Sequence, residues 1–181
     1  MKQANSIIKG EAPSALSTIF WAGITAGTLD GLAAALFFHT KLGLNAGQVM
    51  QFVASALLGE ESFKGGYLTV FAGAVLHYLL AFTISAFYFY AFPAIPQLRK
   101  WPVVFGLLYG LGVWLVINLL VLPLTRMSLP PFELTGSVIA IVWHMVLVGL
   151  PVAFMVNIHY HGSGRYRRTG FTRMNRFKGG L

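Results

Sequence analysis

Four stretches of the chain, 16–38, 67–92, 103–122 and 134–158, each run for 20 residues or more and contain no Lys, Arg or Glu and a single Asp between them. A helix rises 1.5 Å per residue, so about 20 residues cross the roughly 30 Å hydrocarbon layer of a bilayer. No water reaches the backbone in that layer, so each segment must satisfy its own peptide groups, which a helix does. The pattern predicts an all-α, integral membrane four-helix bundle.

Composition agrees: 56% of the residues are hydrophobic and 10% charged, against about 25% charged in soluble domains. The sequence holds no cysteine, which removes disulfides, thiolate metal sites and cysteine nucleophiles. The first run ends in LAAAL and could pass for a signal peptide. Its length, Asp30 inside it, and Glu11 and Pro13 before it predict a retained helix instead.

The net charge is +8, and its placement sets topology. Ten of the thirteen Lys and Arg residues fall in the N-terminal segment (Lys2, Lys9), the second connection (Arg99, Lys100) and the tail. The positive-inside rule places both termini and that second connection in the cytoplasm. The tail, 162–181, carries Arg165, Arg167, Arg168, Arg173, Arg176 and Lys178 directly after the four-span domain, 1–161. Such a cluster predicts contact with anionic lipid headgroups; no nucleic-acid module accompanies it. The first connection contains a shorter apolar stretch, about 46–58, that predicts an interfacial or re-entrant helix capping the external face.

Asp30 is the residue that most needs an explanation, because a carboxylate near the middle of a span costs roughly 2.5–3.5 kcal/mol on insertion scales. Helical projection puts Gly23, Ala26, Gly27, Ala33, Ala34 and Phe37 within about 60° of it. Gly23, Gly27 and Gly31 form a GxxxGxxxG series of the kind that lets membrane helices approach closely. Asp30 is therefore expected to face the bundle. His77 on the second span lies beside Gly73, Ala74 and Ala81, with Ser85 and Tyr88 further along the stripe; His144 on the fourth shares a face with Ser137, Ala140 and Pro151. Counted from the external ends, Asp30, His77 and His144 lie about 12–15 Å deep, nearly level, and Asn118 on the third span about 6–8 Å deep. Glu133, Glu60 and Glu61 fall at the external mouth.

Three functions suit this cluster. Asp and His exchange protons at accessible pH, so the group can serve a proton or cation pathway with Tyr88 as a polar step toward the cytoplasm. Asp30, His77 and His144 also have the ligand types of a divalent-cation or bis-histidine haem site, although no metal or cofactor is expected. Alternatively the polar groups fix helix packing in an accessory or scaffold subunit. No hydrolase or transferase motif and no phosphate loop is present, so a non-enzymatic role is expected. A homo-oligomer or another membrane protein is a possible partner, since the glycine series serves packing and dimerisation equally well. Trp21, Trp101, Tyr67, Tyr160, His159 and His161 are expected at the interfaces, and Trp114 as a packing residue. Gly149 with Pro151 predicts a kink in the fourth span.

From His77 to His144 the chain also resembles the inner-membrane YagU-type family of small bacterial proteins. The similar features are His77 with Tyr88, FP at 92–93 before a basic turn, GLLYG at 106–110, and Asn118 ahead of Pro123 and Leu124. Pro130, Pro131, Glu133 and His144 complete them. Asn118 departs from the pattern, where a titratable His would fit better. The resemblance implies a bacterial inner-membrane location and a connection with acid tolerance.

Overall fold

The structure, a computed structural model, describes residues 13–128 and 133–162. The basic tail residues at 165–178, Lys2, Lys9 and Pro130-Pro131 lie outside the described residues. Within them the chain is helical throughout, with no strand. Four helical segments, Ala15–Leu42, Gly66–Ala91, Pro102–Leu124 and Leu134–His161, are long and apolar enough to cross a membrane, the arrangement of a multi-pass membrane protein.

The first, α1 (Ala15–Leu42), starts where the Ser14 hydroxyl accepts the Ser17 N–H at 3.1 Å. It continues four residues past the expected end at 38, through His39 and Lys41, because the first residue that favours a stop is Gly43. There φ is +70°, and the Leu44 N–H turns back to the Phe38 carbonyl at 3.4 Å. The short helix α2 (Ala46–Leu58) opens on a reciprocal cap: Asn45 accepts the Gln48 N–H at 3.0 Å, and the Gln48 side chain accepts the Asn45 N–H at 2.9 Å. A 3₁₀ segment (Gly59–Lys64) leads into α3 (Gly66–Ala91). α2 lies directly on α3. A side chain at Gly73 would meet the Met50 carbonyl, and Gln51 reaches across to Thr69 Oγ1 at 3.2 Å. The Arg126 N–H donates to the Ala56 carbonyl at 3.0 Å, which ties the third connection to α2.

After the short α4 (Pro96–Lys100), α5 (Pro102–Val116) passes into a π segment (Ile117–Val121) and a 3₁₀ turn (Leu122–Leu124). The last span repeats this device as α6 (Leu134–Trp143), a π segment (His144–Gly149) and α7 (Leu150–Gly162). Each π segment ends two residues before a proline, Pro123 or Pro151. A proline has no N–H to return to the carbonyl four residues back, and its ring crowds that turn, so the helix widens ahead of it. The kink expected at Gly149 and Pro151 falls at the end of the second π segment.

Packing follows the glycines. Gly23 sits against Phe82, Gly27 against Ala81 and Tyr78, and Gly31 against the His77 ring, so the GxxxGxxxG face of α1 is its contact with α3. On α5, Gly106 and Gly110 press on Gly149, His144 and Met145 of the second π segment at backbone distance. The buried core gathers Ala22 and Ala26 of α1, Tyr88, Phe89 and Phe92 at the end of α3, and Val148, Val152, Ala153 and Val156 of the last span. Leu32, Leu36, Phe71, Leu79, Leu119 and Val142 point outward from the bundle, as lipid-facing residues do.

Near the end of the last span Tyr160 and His159 turn toward the neighbouring helices: His159 is 2% exposed, and the Tyr160 ring stacks on Phe92 at 4.9 Å. α7 carries them inward because it continues helically past 158, keeping both on the core-facing stripe with Val152 and Val156.

Candidate functional site

Asp30 meets the last span where α6 gives way to its π segment. The Trp143 indole N–H donates to Asp30 Oδ1 at 3.0 Å, and His144 Nε2 lies 3.5 Å from the same oxygen. The side chains of His144 and Asp30 are 15% and 20% exposed. Trp143 is held on both sides, edge-on to Phe37 at 5.3 Å and stacked with the His144 ring at 5.7 Å. An indole N–H only donates, so a half-buried Trp needs an acceptor, and the carboxylate supplies one.

The second ring nitrogen decides what the pair can do. His144 Nδ1 is 2.7 Å from the Ala140 carbonyl, an atom that only accepts, so Nδ1 carries a hydrogen. In a neutral ring the other nitrogen, Nε2, then presents a bare lone pair to a carboxylate oxygen. Two acceptors facing each other at 3.5 Å repel. Adding one proton removes the conflict, either as imidazolium beside carboxylate or as carboxylic acid beside imidazole. The separation is within ion-pair range and a few tenths of an ångström beyond a formed hydrogen bond. Unit charges at this distance attract by on the order of 5 kcal/mol at an effective dielectric of about 20, comparable with the cost of placing Asp30 in a span.

His77 is near α1 but has a different partner. Its Nε2 donates to the Gly27 carbonyl at 2.7 Å, one turn before Asp30, and Gly31 leaves room for the ring. That carbonyl has a second lone pair to give, so the contact clamps α3 to α1 without breaking the helix. Among the described residues no three His, Asp or Glu side chains gather as a metal site. Nε2 of His77 and Nε2 of His144 each face a protein oxygen. The structure therefore brings together Asp30 and His144 and leaves His77 at a backbone carbonyl.

The remaining expected groups are dispersed. Asn118 donates to the Trp114 carbonyl within its own helix at 3.0 Å. Glu133, beside the first turn of α6, lies 3.6 Å from Lys41 at the end of α1, so the acid at that mouth is matched by a base. Glu61 pairs with Lys64 at 2.7 Å on the surface, and Glu60 is exposed.

Trp143, Lys41 and Thr18 escaped the sequence reading. The signal for Trp143 was present, since a donor-only side chain beside His144 in an apolar span must find an acceptor. Thr18 Oγ1 lies 2.8 Å from His159 Nδ1 at the opposite end of the bundle from Glu133, a pairing 141 residues apart that no local pattern reveals.

Comparison of the chain with protein families, with curated proteins and with solved structures finds no match.

Proposed function

We propose that this multi-pass membrane protein handles protons, with the Asp30–His144 pair as the group that takes up and releases them. The observation that carries the reading is the bond from His144 Nδ1 to the Ala140 carbonyl, because it leaves Nε2 turned toward Asp30, where a shared proton would make the contact favourable. An intramembrane carboxylate and imidazole in such a contact is the usual composition of a proton relay. The role is non-catalytic, and a cation that replaces the shared proton is the variant of the same chemistry.

The proposed setting is a bacterial inner membrane with both termini cytoplasmic, supported by the distribution of Lys and Arg and by the YagU-type resemblance, which also connects proton handling with acid tolerance. In that orientation Glu133, Glu60 and Glu61 face outside, α2 caps the external end, and the tail meets anionic headgroups.

A second reading, an accessory subunit whose polar groups only fasten helices, is favoured by the bonds from His77 to Gly27 and from Trp143 to Asp30, which tie α1 to both its neighbours. Vesicles loaded with a pH-sensitive dye separate the two. Wild-type protein should dissipate an imposed pH gradient, and Asp30→Asn, which keeps hydrogen bonding and removes titration, should slow this by on the order of tenfold or more. Equal rates would leave only the fastening role.

A further inference from the structure

Among the described residues, four buried side-chain atoms lack a hydrogen-bond partner: Ser62 Oγ, Ser85 Oγ, the Tyr88 hydroxyl and Asn157 Oδ1. Ser85 and Tyr88 stand out because they lie three residues apart on one face of α3, at 0% and 1% exposure. A hydroxyl inside a helix ordinarily bonds back to the carbonyl one turn before, as Thr83 does to Leu79 at 2.8 Å. Ser85 does not. The nearby Tyr109 hydroxyl on α5 is satisfied, donating to the Ile84 carbonyl at 2.7 Å, and its ring lies 4.7 Å from that of Tyr88. An orphaned buried hydroxyl costs about 1–3 kcal/mol, so two neighbouring ones in an apolar core are not explained by packing.

Their position along the bundle gives them a use. The α1–α3 contact descends from Gly31 against His77, through Gly27 against Ala81, to Gly23 against Phe82. Ser85 and Tyr88 continue that stripe about 12 and 16 Å beyond His77. The next residue, Phe89, has its ring 4.9 Å from that of His159. Between the two levels the buried residues of α1 and α3 include the small Ala22, Ala26 and Ala81, and the rings of Tyr88 and Phe89 close the stretch below them.

We propose that Ser85 and Tyr88 form a second site, a hydroxyl pair that binds water and passes protons between the Asp30–His144 pair and the His159 end of the bundle. The proposal rests on the proton-handling reading and supplies its inner half. Each hydroxyl oxygen accepts a proton from one side and releases its own to the other. One proton moves per passage, only O–H and N–H bonds form and break, and no electron or further reactant is involved.

Tyr88→Phe and Ser85→Ala test this in full-length protein in dye-loaded vesicles. Each removes an orphaned group and little else, so thermal stability should stay level or rise while proton flux falls by about tenfold. If both variants transport as the wild type does while Asp30→Asn is inactive, the second site is wrong and the first stands. If Asp30→Asn transports normally, the proton-handling reading itself fails. Hydration has a readout independent of flux, because the chain has no cysteine and Ser85→Cys introduces a sole thiol. Silver ion, small and water-borne, should block that thiol against later maleimide labelling of the denatured protein. It should leave Val49→Cys, equally buried on α2, unblocked. A Ser85→Cys thiol as inert as that at position 49 would overturn the proposal.

Discussion

Midway through the bundle an imidazole meets a carboxylate; near one end, an imidazole meets a hydroxyl. His144 faces Asp30 at 3.5 Å with its other nitrogen committed to a carbonyl, whereas His159 Nδ1 lies 2.8 Å from the Thr18 hydroxyl. The Thr18 hydroxyl donates to the Ser14 carbonyl at 3.1 Å and so accepts from the Nδ1–H of a neutral His159, a contact that requires no charge. A carboxylate only accepts, so the Asp30 contact is favourable only when a proton is shared. The same residue type is thus a static fastener at one level and a proton holder at the other. Exposure follows the division: His159 is 2% exposed, while Asp30 and His144 keep side-chain exposures of 20% and 15%.

The largest effect that would break this comparison concerns flux. His144→Gln should lower proton flux about as far as Asp30→Asn, on the order of tenfold or more, and the double variant should be no worse than either. Additive losses in the vesicle assay would mean that the two residues do not act as a pair. At the other level, His159→Leu should reduce stability by about 1–3 kcal/mol in a denaturant titration while flux is retained. A loss of flux without a loss of stability there would erase the contrast.

Two glycines of α5 sharpen the point that the site depends on close backbone contact. Gly110 touches the His144 carbonyl and Met145, whereas Gly112 has no atom near its missing side chain. Gly110→Ala should cost about 1–3 kcal/mol and disturb His144, and Gly112→Ala should be neutral or stabilise by up to about 1 kcal/mol. Melting temperatures of the two variants check this. The smallest effect is expected at Asn118, whose amide is satisfied by its own helix: Asn118→Leu should change stability by about 0.6 kcal/mol or less and leave flux unaltered.

Much of this architecture is readable in the chain before any coordinates are known, for reasons that single residues make plain. Span length and the absence of charge locate the four helices, since both are properties of the bilayer. Asp30 can be assigned to the bundle interior because its neighbours one turn away are Gly and Ala. The level of His144 follows from counting residues along a helix. What the period of a straight helix does not supply is the π segment that begins at His144. Each inserted residue turns the following side chains by about 100°, so a face drawn from His144 to Pro151 does not survive it. Nor does residue type foretell that His77 takes a backbone carbonyl, a partner present on every helix and therefore invisible to pattern. The inward turn of His159 is not legible either, because its partner Thr18 lies 141 residues away in the sequence.

The state of the His144 ring tests the central claim most directly. Nitrogen-15 NMR of protein labelled at histidine, assigned by the His144→Gln variant, reports whether Nε2 is protonated or hydrogen-bonded. The expected result at neutral pH is a ring whose Nδ1 carries hydrogen and whose Nε2 either carries the shared proton or accepts it from Asp30, a signature altered in Asp30→Asn. A neutral ring with a bare, unbonded Nε2 that is indifferent to Asp30→Asn would contradict it.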